Sequence, residues 1–215
     1  MKKPVLYVLF IAAGLIAGFV IAAVLYLTTG FSLFGGKPEV PSFSVNTGNQ
    51  ELVKLAMGAA EDIKNNDFQA LSQIVHPELG VVFSPYATIT LSTNKCFLAE
   101  QIAAFGTDTK SYVWGVHTGS GEPIELTVAD YFAQFVFDRD YTVAPIIGIN
   151  HTIRSGNALE NITDVFPDVK YVDFYIPGTE RDSAGNCDWS SLRLGFEVYE
   201  GSLRLTVIVH NEWAE

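Results

Sequence analysis

Residues 190–213 read SSLRLGFEVYEGSLRLTVIVHNEW, and the register of this stretch decides the fold. Apolar residues alternate with others on both sides of Glu200-Gly201, the period of a half-buried strand. The central Gly supplies the positive φ of a tight hairpin turn. Pairing Tyr199 with Ser202 sets Val198 against Leu203, Phe196 against Leu205, Leu194 against Val207 and Leu192 against Val209. Those residues then share one face, while Glu197 meets Arg204 on the other as an opposite-charge pair. A slip of one residue destroys both patterns. The second face carries Arg193, Gly195, Thr206, Ile208 and His210, with Ser191 opposite His210. It is too polar for a dry core, so it is expected to be solvated or to line a pocket, where Arg193 and His210 meet a small anionic ligand.

Upstream, Leu52, Leu55, Ala56, Ala59, Ala60 and Ile63 fall on one helical stripe. Asp67 is placed to cap a second helix through Val75, and His76-Pro77 ends it. Residues 80–91 read as extended, with Pro85 demoting them to an edge strand or two pieces. A short helix over 97–105, strands over 111–118 and 122–126, and a helix capped by Thr127 follow. Residues 144–153 and 169–176 read as extended, before the hairpin. Helices first and strands last predict an α+β domain, with N-terminal helices packed on one curved antiparallel sheet.

The chain ahead of that domain has a different character. Residues Pro4 to Thr28 form an uncharged apolar run of roughly 25 residues, long enough to span a bilayer. Lys2 and Lys3 precede it and no basic residue follows until Lys37, which predicts a transmembrane signal anchor with the N-terminus in the cytoplasm. A cleaved signal peptide is the alternative. Gly14, Gly18 and Ala22 recur every fourth residue, a possible helix-dimer face and so a possible homodimer. Residues 1–30 are thus expected to hold the cytoplasmic N-terminus and the anchor. Residues 31–49, rich in Gly, Pro, Ser and Asn, read as a linker, and 50–215 as an extracytoplasmic domain.

Charge narrows the partners. Setting aside Lys2 and Lys3 leaves 11 basic residues against 24 acidic ones, a balance of −13. Such a surface lacks the basic footprint that nucleic acid requires. The only cysteines, Cys96 and Cys187, lie 91 positions apart in polar segments. An exported location permits a disulfide between them, one that contributes on the order of 4 kcal/mol through the denatured state; two free thiols are the other reading.

Three segments resemble a group of uncharacterised bacterial cell-envelope proteins and lipoproteins: HPELGVVFSPY over His76 to Tyr86, WGVHTGSGEPIELT over Trp114 to Thr127, and Asp188 to Trp213, ending in IVHNEW. The chain departs from the lipoprotein members in lacking a lipid-acceptor Cys near its apolar run. The order of helices and strands also resembles the nuclear-transport-factor and ketosteroid-isomerase superfamily, which implies a cone-like sheet around a cavity.

No metal-ligand spacing joins the four histidines, and no Gly-x-Ser-x-Gly, Walker or dinucleotide fingerprint occurs, so no cofactor is expected. His76, Tyr86, Trp114, Arg193 and His210 are the candidate ligand-binding residues. Asp138-Arg139-Asp140 places two carboxylates beside a helix end, a solvated cluster or a catalytic pair. The expected role is binding of a small ligand or an envelope protein at the membrane. The alternative is an enzyme using His76, Asp138 or His210 as pocket acid or base.

Overall fold

The computed structural model describes residues 47–178 and 188–213. The apolar run, its small-residue stripe, nearly all of the linker and Cys187 lie outside the described residues. Among the described residues no helix is long and apolar enough to cross a membrane.

The domain is α+β. Helix α1 (Thr47–Lys64) buries Leu52, Ala56, Ala59, Ala60 and Ile63 of the predicted stripe and half-buries Leu55. Asn66 adopts a left-handed φ of 53°, which stops that helix. The Asp67 carboxylate then accepts from the Ala70 N–H at 2.9 Å and caps α2 (Phe68–Gln73). Strands β1 (Val81–Ser84) and β2 (Lys95–Phe97) precede α3 (Ala99–Ala103). Strands β3 (Ser111–Val116) and β4 (Pro123–Thr127) form a separate two-stranded ribbon, followed by α4 (Val128–Phe135), capped by Thr127 as expected. Strand β5 (Ile146–Ile149), α5 (Ile162–Val165), β6 (Lys170–Ile176), β7 (Ser190–Tyr199) and β8 (Ser202–Glu212) complete the fold.

The main sheet has six strands in the order β2-β1-β8-β7-β6-β5. It is not the single antiparallel sheet expected, because β1 pairs parallel with β8. Pro85 does not mark an edge strand either. Strand β1 lies between β2 and β8 and simply stops at Ser84, one residue before the missing N–H would break the ladder.

The hairpin turn is as expected: Glu200 and Gly201 take φ of 48° and 79°, the pair of positive values of a type I′ turn. The register holds from Tyr199↔Ser202 to Phe196↔Leu205, then shifts, with Gly195 facing Val207 and Arg193 facing Val209. Thr206 is the extra residue of a β-bulge, which moves every later β8 side chain to the opposite face. Gly195 makes room for it: a Cβ there would stand 2.5 Å from Val207 Cγ1. Val207 and Val209 therefore leave the predicted face, and Ile208 and His210 join Leu192, Leu194, Phe196 and Leu205 on it.

Both faces of the sheet are buried. The first packs on α1, α2 and α4 around an aromatic cluster of Phe83, Phe97, Phe105, Trp114, Tyr131 and Phe132. The second, expected to be polar, holds a smaller apolar cluster with Val82, Ile162, Tyr171, Val207 and Val209. Arg193 lies beside that cluster with its side chain fully buried. Its Nε donates to Asp173 Oδ1 at 3.3 Å and its Nη2 to Glu160 Oε1 at 3.1 Å, while Nη1 also bonds Glu160. Asp173 Oδ2 accepts the Ile153 N–H at 2.8 Å, and Glu160 Oε1 accepts from Asn211 at 3.0 Å. These bonds fasten residues 153–160 over the second face. Two carboxylates and shared hydrogen bonds are what a buried guanidinium requires.

Cys96 is exposed and unbonded, its thiol donating to the Leu79 carbonyl at 3.2 Å. Cys187, its expected partner, is not among the described residues.

Candidate functional site

The five candidate ligand residues do not come together. Trp114 is fully buried, its ring stacked on Tyr131 at 3.8 Å and its Nε1 donating to the Leu126 carbonyl. Arg193 and His210 lie on opposite faces of the sheet, so they form no joint anion site. His76 and Tyr86 stand at either end of β1 and line separate clefts.

His210 is fully buried beside Phe135. Its Nδ1 is 3.3 Å from the Pro85 carbonyl, and its Nε2 is 3.4 Å from Asp138 Oδ1. The second approach is close but lacks hydrogen-bond alignment. Asp138 also accepts from the Tyr141 hydroxyl at 2.6 Å and from Ser190 Oγ at 3.0 Å, and those two hydroxyls touch each other. An Asp, a His and a Ser thus meet, but Ser190 bonds the carboxylate rather than the imidazole. A nucleophile needs its base within hydrogen-bond reach, so this arrangement cannot activate Ser190. It satisfies polar groups in the core instead.

Burial pushes the Asp138 carboxyl up, but His210, Tyr141 and Ser190 outweigh it and hold its pKa below the ordinary value of 3.8. A depressed carboxylate adds stability above the unfolded-state pKa and loses it as pH falls through the folded value. Urea unfolding midpoints of the wild type should therefore drop below about pH 4 more steeply than those of Asp138→Asn. Equal slopes in the two proteins would show that Asp138 is not linked to folding.

Asp140, the other carboxylate of the helix-end cluster, pairs with Lys64 at 2.8 Å on the surface. The two carboxylates thus have separate partners: one is taken into the core network and the other binds a lysine.

Of the surface concavities, the His76 cleft encloses about 500 Å³ and brings together His76, Asp168, Lys170 and Glu197. His76 Nδ1 accepts the backbone N–H groups of Glu78 (3.2 Å) and Leu79 (3.0 Å). It thereby caps the turn that follows the helix it ends. Two donors on Nδ1 require the proton of the neutral ring on Nε2. The ring offers the cleft a donor, and its one basic nitrogen is already engaged. Burial raises the Glu197 carboxyl, and the charge of Asp168 adds to this.

The Tyr86 cleft is smaller, about 210 Å³, and its walls come from three parts of the chain. The loop after β1 supplies Pro85, Tyr86, Thr88, Thr90, Thr93 and Asn94; the end of β3 supplies Val116 and Thr118; Ala158 closes one side. Ser84 and Asn94 hold the loop in shape: Asn94 Oδ1 accepts the Thr90 N–H at 2.6 Å, and Ser84 Oγ donates to the Tyr86 carbonyl at 2.7 Å. Tyr86 packs its ring on Phe135 at 5.9 Å and brings its hydroxyl to 3.5 Å from His117 Nδ1. Burial pushes its pKa up, and the charge of Glu212 adds to this. The threonines of this loop were not among the expected site residues. The signal was present in the sequence as ATITLSTNK, residues 87–95, a hydroxyl-rich stretch between an apolar strand and a helix.

No protein-family model matches the chain, and neither the curated proteins nor the solved structures contain a match to it.

Proposed function

We propose that the chain is a single-pass protein with its N-terminus in the cytoplasm, whose extracytoplasmic domain binds a small ligand in the Tyr86 cleft. One observation carries the binding role: three separate segments converge on one compact cavity lined by hydroxyl and amide groups. Ligand sites have this character, a concave seat with a few placed polar groups. The enzyme alternative needs two or more titratable groups meeting in a pocket, one of them free to take a proton. Asp138 accepts from Tyr141 and Ser190 inside the core, His210 lies between that carboxylate and the Pro85 carbonyl, and His76 keeps its basic nitrogen on the backbone. The location rests on Lys2 and Lys3 ahead of an uncharged run.

A single set of samples tests both parts. Membranes washed with carbonate should retain the chain, and protease added to the outside should digest the domain. In a ligand-observed screen of that material, binders should be lost on Thr118→Trp, which fills the cleft from an exposed position, with the melting temperature unchanged. A soluble trimmed form would overturn the anchor. Binders indifferent to Thr118→Trp would overturn the seat.

A further inference from the structure

We infer that the Tyr86 cleft takes a neutral, polyhydroxylated ligand the size of one sugar ring; this rests on the reading of that cleft as the ligand seat. Among the described residues no charged one lines it, although the chain carries 24 acidic and 13 basic residues. The hydrogen-bonding inventory is mixed. Among the described residues the Thr90 and Thr118 hydroxyls make no hydrogen bond, so each can both donate and accept. Thr88 and Thr93 donate to the carbonyls of Leu159 and Thr90 and keep their oxygens as acceptors. Asn94 spends one amide N–H on the Trp114 carbonyl and retains the other. A ligand hydroxyl, which donates and accepts, satisfies such a set.

Charged ligands do not. A carboxylate or phosphate only accepts, and would set its oxygens against the threonine oxygens with no cation to offset them. Lys95, next in the chain to Asn94, lies over the rings of Phe97 and Tyr112 at 5.5 and 5.2 Å. An ammonium would find no carboxylate among the described residues of the wall. Pro85, Val116 and the Tyr86 ring provide the apolar surface that the C–H face of a pyranose requires. The volume of about 210 Å³ lies below the roughly 300–1,000 Å³ of drug-sized sites, which fits one ring and excludes a long chain.

The test is a titration of the ¹⁵N-labelled full chain, in a detergent without a sugar head group, with glucose and its charged counterparts glucuronate and glucosamine. Glucose should shift the Thr90, Asn94 and Thr118 signals saturably. Thr90→Val and Thr118→Val, both at exposed positions, should each weaken it about threefold to tenfold, the loss of one hydrogen bond. Both charged rings should bind about tenfold more weakly or worse. A charged ring binding as well as glucose would overturn the neutral class. A non-sugar fragment that shifts the same signals, with all three sugars silent, would overturn the ligand class and leave the seat standing. No shift at those residues from any compound would overturn both.

Discussion

Arg193→Ala should destabilise the domain by about 3–5 kcal/mol, the cost of breaking a buried ion pair and leaving charge uncompensated. The substitution strands Asp173, itself fully buried, and Glu160, both of which organise the segment laid over the second sheet face. Equilibrium urea unfolding measures it. Arg193→Met combined with Glu160→Gln and Asp173→Asn should recover part of the loss, because it removes the stranded charges and keeps most of the volume. A solvated polar face gives the opposite result, a change within about 0.5 kcal/mol for Arg193→Ala. That outcome would mean that residues 153–160 do not cover the sheet.

Unbroken alternation through the hairpin would place Arg193 on a polar face. In the six residues Tyr199, Val198, Glu197, Arg204, Leu203 and Ser202 the pattern is strict, and the structure follows it. Beyond Leu205 the run Thr-Val-Ile-Val offers β-branched residues at every position and does not specify which face is inside. Gly195 was the one visible hint of a bulge, since a glycine inside a strand pattern often marks one. Burial of the second face was illegible for a further reason. It depends on partners for Arg193 that lie 20 and 33 residues away in sequence, which no local period reveals.

Local signals elsewhere served well. The α1 stripe and the caps at Asp67 and Thr127 depend only on near neighbours, and all are present. Long-range pairing did not reveal itself in the same way. Strand β1 joins β8 in parallel across more than half of the domain, and β2 is a three-residue strand in a polar segment. The sites followed the same division. His76 and Tyr86 border two different clefts, with β1 between them. Asp138, Ser190 and His210 meet only through the tertiary fold, and their bonding pattern, not their identity, rules out triad chemistry.

Trp114→Ala should cost about 3–5 kcal/mol, the usual penalty for emptying a core aromatic site, and so remove much of a typical domain stability of about 5–15 kcal/mol. The indole stacks on Tyr131, meets Phe83 edge-on at 5.4 Å and packs at a tilt against Phe97 at 5.3 Å. It is therefore where the β3–β4 ribbon, α4 and the main sheet share one cluster. Trp114→Phe should cost less in packing but leave the Leu126 carbonyl without its donor, a separate penalty of about 1–3 kcal/mol where that group stays dry. Thermal and urea unfolding of both variants measure the difference. A tryptophan reserved for a ligand would behave otherwise: Trp114→Ala would keep the midpoint and abolish binding. The structure excludes direct stacking of a ligand on this ring, because Trp114 is wholly buried and Tyr131 already occupies one of its flat faces. The route by which Trp114 affects the neighbouring cleft is mechanical. Its carbonyl accepts from Asn94, which holds the Thr90 loop, so loss of Trp114 should loosen the seat only as it unfolds the domain.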